Sequence, residues 1–260
     1  VTEVQVDDND KVRRLTLRDP QRRNALSAAL LRGLVEALED AARDRIRVVV
    51  LTTEPVQGVW SAGHDITELP TGERDPLVWD NPLEQALRAI RDAPFPVIAS
   101  VDGSVWGGAC DLVITCDLIV ASSSSQFAIT PARLGIPYNT EGVAHFLSAL
   151  PVHVVKEMFF TGDPIDAPRA AELGIVNRLV SDRDELAEVT ETVASRIASL
   201  APLAIQAIKA EINTLSGARH LTSDEFEKLN NARTRAWSSE DYREGLAAFH
   251  ERRPAQFRGE

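Results

Sequence analysis

Apolar positions along this chain follow two regimes. Through roughly the first two thirds, short β-branched runs alternate with stretches whose apolar residues recur every three or four positions. Val4-Gln5-Val6 and Val12 to Leu17 flank the polar Asp7-Asp8-Asn9-Asp10-Lys11, which predicts a hairpin. Its acidic tip lacks the glycine and distal glutamate of a calcium loop, so it is read as a turn. Ser27 precedes Leu30, Leu31, Leu34, Val35 and Leu38, the stripe of a capped helix. Buried strands are predicted at 47–53, 96–101 and 117–121, with helices at about 83–92 and from Ala109 to Cys116. Strands alternating with helices argue for an α/β fold with a mostly parallel sheet.

The last third is nearly all helical in pattern. Leu186, Val189, Val193, Ile197 and Leu200 form one stripe, and Leu203, Ala207, Ile208, Ile212 and Leu215 form another. Thr222 and Glu225 have the spacing of a capping box ahead of Phe226 and Leu229. Tyr242, Leu246 and Phe249 continue the pattern, and Ser122–Ser125 is expected to be a plain polar loop.

Two strand-to-helix junctions are rich in small residues. At the first, Val48 to Thr53 leads through a loop to Trp60-Ser61-Ala62-Gly63-His64-Asp65-Ile66. At the second, Pro96 to Val101 leads to Gly103-Ser104-Val105-Trp106-Gly107-Gly108-Ala109-Cys110-Asp111. Glycine lets the backbone approach a ligand closely, and a helix N-terminus carries unpaired N–H donors with positive dipole character. One donor from each junction, His64 N–H and Gly108 N–H, can serve a single oxygen, the geometry of an oxyanion hole.

Composition narrows the classes. With 44% hydrophobic residues, 260 residues are enough for a full core. No apolar run has the length of a membrane span and no signal-peptide pattern is seen, so a cytoplasmic protein without membrane attachment is expected. The net charge of −11 disfavours a nucleic-acid partner or an anionic membrane surface. It also requires local cations for any anionic ligand, with Arg22, Arg23, Arg252 and Arg253 as candidates. Cys110 and Cys116 are expected to be reduced, inert packing residues. His145 and His153 show no metal-ligand spacing, so no metal is expected.

Taken together, Ala62-Gly63-His64-Asp65, Gly107-Gly108 and Arg23-Asn24-Ala25-Leu26-Ser27 resemble the crotonase (enoyl-CoA hydratase/isomerase) superfamily over nearly the whole chain. The resemblance implies a spiral of β–β–α turns over residues 1–200 holding an acyl-CoA site. It also implies a helical oligomerisation region over 201–260, with a homotrimer or dimer of trimers. No cofactor is implied, because coenzyme A belongs to the substrate.

Hydratases of that superfamily use two glutamates, one in a Gly-Gly-x-Cys-Glu-Leu segment and one in a Pro-Glu segment. Here those positions hold Asp111 and Pro131, and proline cannot act as acid or base. Instead, Gly135-Ile136-Pro137-Tyr138-Asn139, Ser61 to Pro70 and Arg74 to Leu77 resemble the methylmalonyl-CoA decarboxylase branch. That resemblance implies a carboxylate-orienting Tyr138, with Thr130 and His64 to Glu68 at the substrate and Arg252 at coenzyme A. The substrate-binding set is then Ala25, Leu26, Ala62, Asp65, Ile66, Thr67, Glu68, Trp106, Asp111, Thr130 and Arg252, and the catalytic set His64, Gly108 and Tyr138.

The expected reaction is cofactor-independent decarboxylation of methylmalonyl-CoA, or a related malonyl thioester, through an oxyanion-stabilised enolate. One alternative is another acyl-CoA enzyme of the same family (a hydratase, isomerase or thioester hydrolase) using Asp111 or Glu141. A second is a non-catalytic acyl-CoA-binding subunit. Several residues have competing structural readings: Asp65 as a turn cap, Trp106 as core, Asp111 as a helix residue, and His64 acting through its backbone alone.

Overall fold

The computed structural model describes residues 3–69, 81–216 and 238–256, together with 227, 231 and 234. Its chain opens on an antiparallel hairpin, β1 (Glu3–Asn9) and β2 (Val12–Arg18), followed by α1 (Ala28–Arg43). Three β–β–α turns follow. They are β3 (Val48–Thr53), β4 (Val59–Ser61) and α2 (Pro82–Asp92); β5 (Val97–Val101), β6 (Ser104–Trp106) and α3 (Gly108–Thr115); then β7 (Leu118–Ser122), β8 (Gln126–Ala128) and α4 (Thr140–Ala149). Beyond them lie α5 (Val152–Thr161), β9 (Ile165–Asp166), α6 (Ala167–Glu172), β10 (Arg178–Val180), α7 (Arg183–Ala198), α8 (Pro202–Ser216) and α9 (Glu240–Glu251).

Each turn of the spiral gives one strand to each of two sheets. The larger sheet has the order β1-β2-β3-β5-β7-β10, parallel from β2 onward, and the smaller has the order β4-β6-β8-β9. Parallel strands covered on both faces read as continuous apolar runs, as Val48 to Leu51 and Val97 to Val101 do. One face packs into the main core with α1, α2 and α3. On the other, Val12, Val48, Val50, Ile98, Val120 and Val180 meet Leu186 and Ala194 of α7.

In the larger sheet β2, β3, β5 and β7, with α1, α2 and α3 against them, match the sequence pattern to within a residue or two, whereas β1 runs on through Asn9 into the expected tip and β10 was not expected. The smaller sheet does not follow from that pattern, because its strands are two or three residues long and too short to show a period. Ser122–Ser125 is also different from the plain loop expected. Ser122 and Ser125 are fully buried, and Ser122 Oγ donates to Asp102 Oδ1 at 2.8 Å while Ser125 Oγ accepts from Gly103 N at 3.2 Å. These hydroxyls tie the β7–β8 turn to the β5–β6 turn. The Thr222–Glu225 capping box and the Arg74–Leu77 segment lie outside the described residues.

Helix α8 exposes its apolar stripe. Leu203, Ile208, Ile212 and Leu215 are all more than half exposed, whereas Lys209 is 7% exposed. No helix among the described residues is long and apolar enough to cross a membrane.

Candidate active site

A strap between a 3-10 turn (Pro20–Arg22) and α1 builds the first wall. Arg23 and Asn24 both take positive φ, and the buried Asn24 side chain bonds the carbonyls of Glu54 (2.8 Å) and Trp60 (3.0 Å). Its own carbonyl accepts from Ser61 Oγ at 2.6 Å. Further along, Leu26 N donates to Gly63 O at 2.7 Å and Asp65 N donates to Leu26 O at 3.3 Å. The 23–27 strap therefore lies along 61–65 and fixes the path of the chain through His64.

The second wall approaches main chain to main chain. Gly63 has φ +86°, and a Cβ there would collide with the Trp106 carbonyl and lie 3.5 Å from Gly108 N. A Cβ on Gly108 would lie 3.7 Å from His64 N. Gly107 takes φ +52°, its N–H donates to Ala128 O at 2.8 Å, and Gly108 opens α3. Two backbone N–H groups, of His64 and Gly108, thus stand side by side, and neither has an acceptor among the described residues. The His64 donor precedes a 3-10 turn (Ile66–Glu68), where the sequence suggested the start of a helical turn.

These walls open on a cavity of about 610 Å³. Ala25, Ala62, His64, Asp65, Ile66, Thr67, Trp106, Gly108, Thr130 and Tyr138 all line it, and Arg22 and Arg23 join them. The His64 imidazole is itself largely buried. Burial lowers its pKa, and Nδ1 has no hydrogen-bond partner. Asp65 is 3% exposed; it caps the 3-10 turn through Thr67 N at 3.0 Å and pairs with Arg22 at 3.0 Å.

Four expected substrate contacts do not line the cavity. The Leu26 side chain is fully buried in the core, so only its backbone serves the site. Glu68 is turned toward α1, where its Oε2 accepts from Ala28 N at 2.7 Å and completes the N-terminal cap begun by Ser27. Arg252 ends α9 in the left-handed conformation, and Phe249 of the preceding turn faces the cavity in its place.

The fourth, Asp111, is completely buried behind Tyr138. The Tyr138 hydroxyl donates to Asp111 Oδ2 at 2.7 Å, and His145 Nδ1 lies 2.9 Å from Asp111 Oδ1. Burial, then the Asp111 charge, pushes the Tyr138 phenol well above its ordinary pKa. Next to this array, buried Glu84 accepts from Asn139 Nδ2, and Asn139 Oδ1 caps α4. Burial raises the Glu84 pKa against that hydrogen bond. Sequence reasoning considered His145 only as a metal ligand and missed its pairing with Asp111. The i to i+3/i+4 offset of Gly142, His145 and Phe146 on α4 was the available signal.

Asp65 is the only carboxylate lining the cavity among the described residues. It is already bonded to Arg22 and Thr67. Among the described residues the cavity therefore lacks the paired carboxylates that would add water across a double bond.

Residues 7–260 match the family model for enoyl-CoA hydratase/isomerase. The chain belongs to the enoyl-CoA hydratase/isomerase family. Within that family, it is 45% identical to the methylmalonyl-CoA decarboxylase of Escherichia coli (strain K12) over 236 residues, 91% of this chain and 90% of the relative. It is 36% identical to the human mitochondrial enoyl-CoA hydratase domain-containing protein 3, covering 94% and 80% of the two chains. Among solved structures, methylmalonyl-CoA decarboxylase in complex with 2-nitronate-propionyl-CoA superposes with a TM-score of 0.96 at 43% identity, covering 99% of each chain. The complex of the same enzyme with 2S-carboxypropyl CoA gives the same score and identity, covering 100% of this chain and 99% of that one.

Proposed function

We propose that this enoyl-CoA hydratase/isomerase family member decarboxylates methylmalonyl-CoA to propionyl-CoA and CO2. The observation that carries the reading is the 45% identity to a methylmalonyl-CoA decarboxylase, joined to a cavity whose described residues offer no free carboxylate pair. When the C–C bond to the carboxylate breaks, its electron pair enters the thioester and the charge settles on the thioester oxygen. The His64 and Gly108 N–H groups stabilise that charge more than they do the ground-state carbonyl. One such donor contributes roughly 3–4 kcal/mol at the transition state. The electron sink is the thioester itself, so this route calls for no further cofactor or metal.

Arg22 and Arg23, at the cavity wall, offer charge to the coenzyme A phosphates. Tyr138 faces the substrate carboxylate, but its O–H must turn away from Asp111 to orient that group. The outward apolar stripe of α8 supports a homotrimer or dimer of trimers built on residues 201–260, with the acyl-CoA site in 1–200. We place the enzyme in the cytoplasm.

Turnover of methylmalonyl-CoA and of crotonyl-CoA, followed by mass spectrometry, tests the reading. Propionyl-CoA from the first and no hydration of the second is the expected result. Hydration of crotonyl-CoA without decarboxylation would overturn it. Gly108→Pro, which deletes one donor, is expected to lower decarboxylation by roughly a hundredfold or more.

A further inference from the structure

The proposed decarboxylation consumes one proton per turnover, because CO2 carries none away and the α-carbon must gain one. The cavity wall offers few sources. Asp65 is tied to Arg22 and Thr67, and His64 Nδ1 has no hydrogen-bond partner. Tyr138 differs from both. Its hydroxyl continues into a chain of ionisable groups that runs away from the cavity: 2.7 Å to Asp111 Oδ2, then 2.9 Å from Asp111 Oδ1 to His145 Nδ1. Asp111 is fully buried, and the His145 side chain is 15% exposed on α4. The line therefore joins the cavity to the protein surface through a single carboxylate.

Packing holds this line in register. The Tyr138 ring meets Phe146 and Phe159 edge to face, with centroids 6.3 and 5.3 Å away. A Cβ on Gly142 would collide with the Tyr138 ring, so α4 and the tyrosine are in close contact. From α3, the Thr115 hydroxyl donates to the Asp111 carbonyl at 2.8 Å and lies 3.5 Å from His145 Nδ1.

We propose that Tyr138, Asp111 and His145 form a proton path from the surface of α4 to the cavity, and that Tyr138 delivers the proton to the α-carbon. This rests on the decarboxylation reading above. The Tyr138 O–H bond breaks as the enolate electron pair forms the new Cα–H bond, leaving a phenolate. A proton passing from His145 Nδ1 makes Asp111 a carboxylic acid, which returns it to the phenolate. Water reloads His145. A thioester enolate is a far stronger base than a phenolate, so the first transfer runs downhill.

The test uses propionyl-CoA, which has no carboxylate to orient, so it separates proton donation from carboxylate orientation. By microscopic reversibility the proton donor is the base for α-hydrogen exchange. Incubated with propionyl-CoA in D2O, the native enzyme is expected to introduce deuterium at the α-carbon. Tyr138→Phe is expected to slow that exchange by roughly a hundredfold while propionyl-CoA still binds. His145→Gln keeps a hydrogen-bond donor beside Asp111 but carries no titrating proton, and is expected to slow exchange by on the order of tenfold. An unchanged rate in Tyr138→Phe, or no exchange by native enzyme that decarboxylates methylmalonyl-CoA, overturns the proposal. An unchanged rate in His145→Gln overturns the path to the surface. Exchange on propionyl-CoA without turnover of methylmalonyl-CoA would sink the decarboxylation reading and leave the proton path standing.

Discussion

Helices α7 and α8 follow one another and carry stripes of similar apolar content, yet they meet the protein in opposite ways. In α7, Leu186 and Ala194 are buried against the β-branched face of the large sheet, with Val189, Val193 and Ile197 packed beside them. In α8 the stripe points outward, and the buried residue is a lysine. Lys209 Nζ donates to Ile90 O at 2.9 Å, Phe95 O at 3.0 Å and Asp117 Oδ2 at 2.8 Å. The difference teaches what a helical period can and cannot say. It marks a face that leaves water, but not which body covers that face. One charged residue with a complete set of partners can reverse the orientation.

Breaking the α8 anchor should have the largest effect. Lys209→Met leaves the Asp117 carboxylate and two buried carbonyls without their cation, and is expected to cost about 3–5 kcal/mol in chemical denaturation. A near-neutral result would mean that α8 is held by apolar packing after all, as α7 is. Leu186→Ala, on the face of α7 that is already covered, is expected to cost about 2–4 kcal/mol by the same measurement. Leu203→Ser in α8 should be the mildest, within about 0.5 kcal/mol for the single chain. Its effect should appear instead in sedimentation velocity, as weaker self-association. A stability loss as large as that of Leu186→Ala, with no change in association, would show that the chain covers this face itself.

The contrast also marks what the sequence made legible. Helix α1 could be placed because its burial repeats over many residues, and β3, β5 and β7 because each is a continuous apolar run bounded by polar residues, proline or glycine. The smaller sheet could not, since its strands end before a period appears. Within the site, glycines and small residues identified the two junctions because only they permit such close backbone approach. Polar side chains were harder to place. Glu68 looked like a ligand contact and caps α1, while Asp111 looked like an acid at the cavity and is sealed behind Tyr138. A carboxylate's partner lies elsewhere in the chain, and nothing in its neighbours along the sequence names it. His145, thirty-four residues from Asp111, is such a partner.

The contact between Gly63 and the Trp106 carbonyl has one more consequence. Both donor groups belong to the main chain, and the gap between them is set by backbone touching backbone. Side chains around the cavity can therefore be exchanged without disturbing the pair proposed to receive the negative charge. A scaffold of this kind separates the part that makes an enolate affordable from the part that decides its fate. Redesign for a different thioester reaction would begin at Tyr138, Thr130 and Trp106 and leave Gly63 untouched.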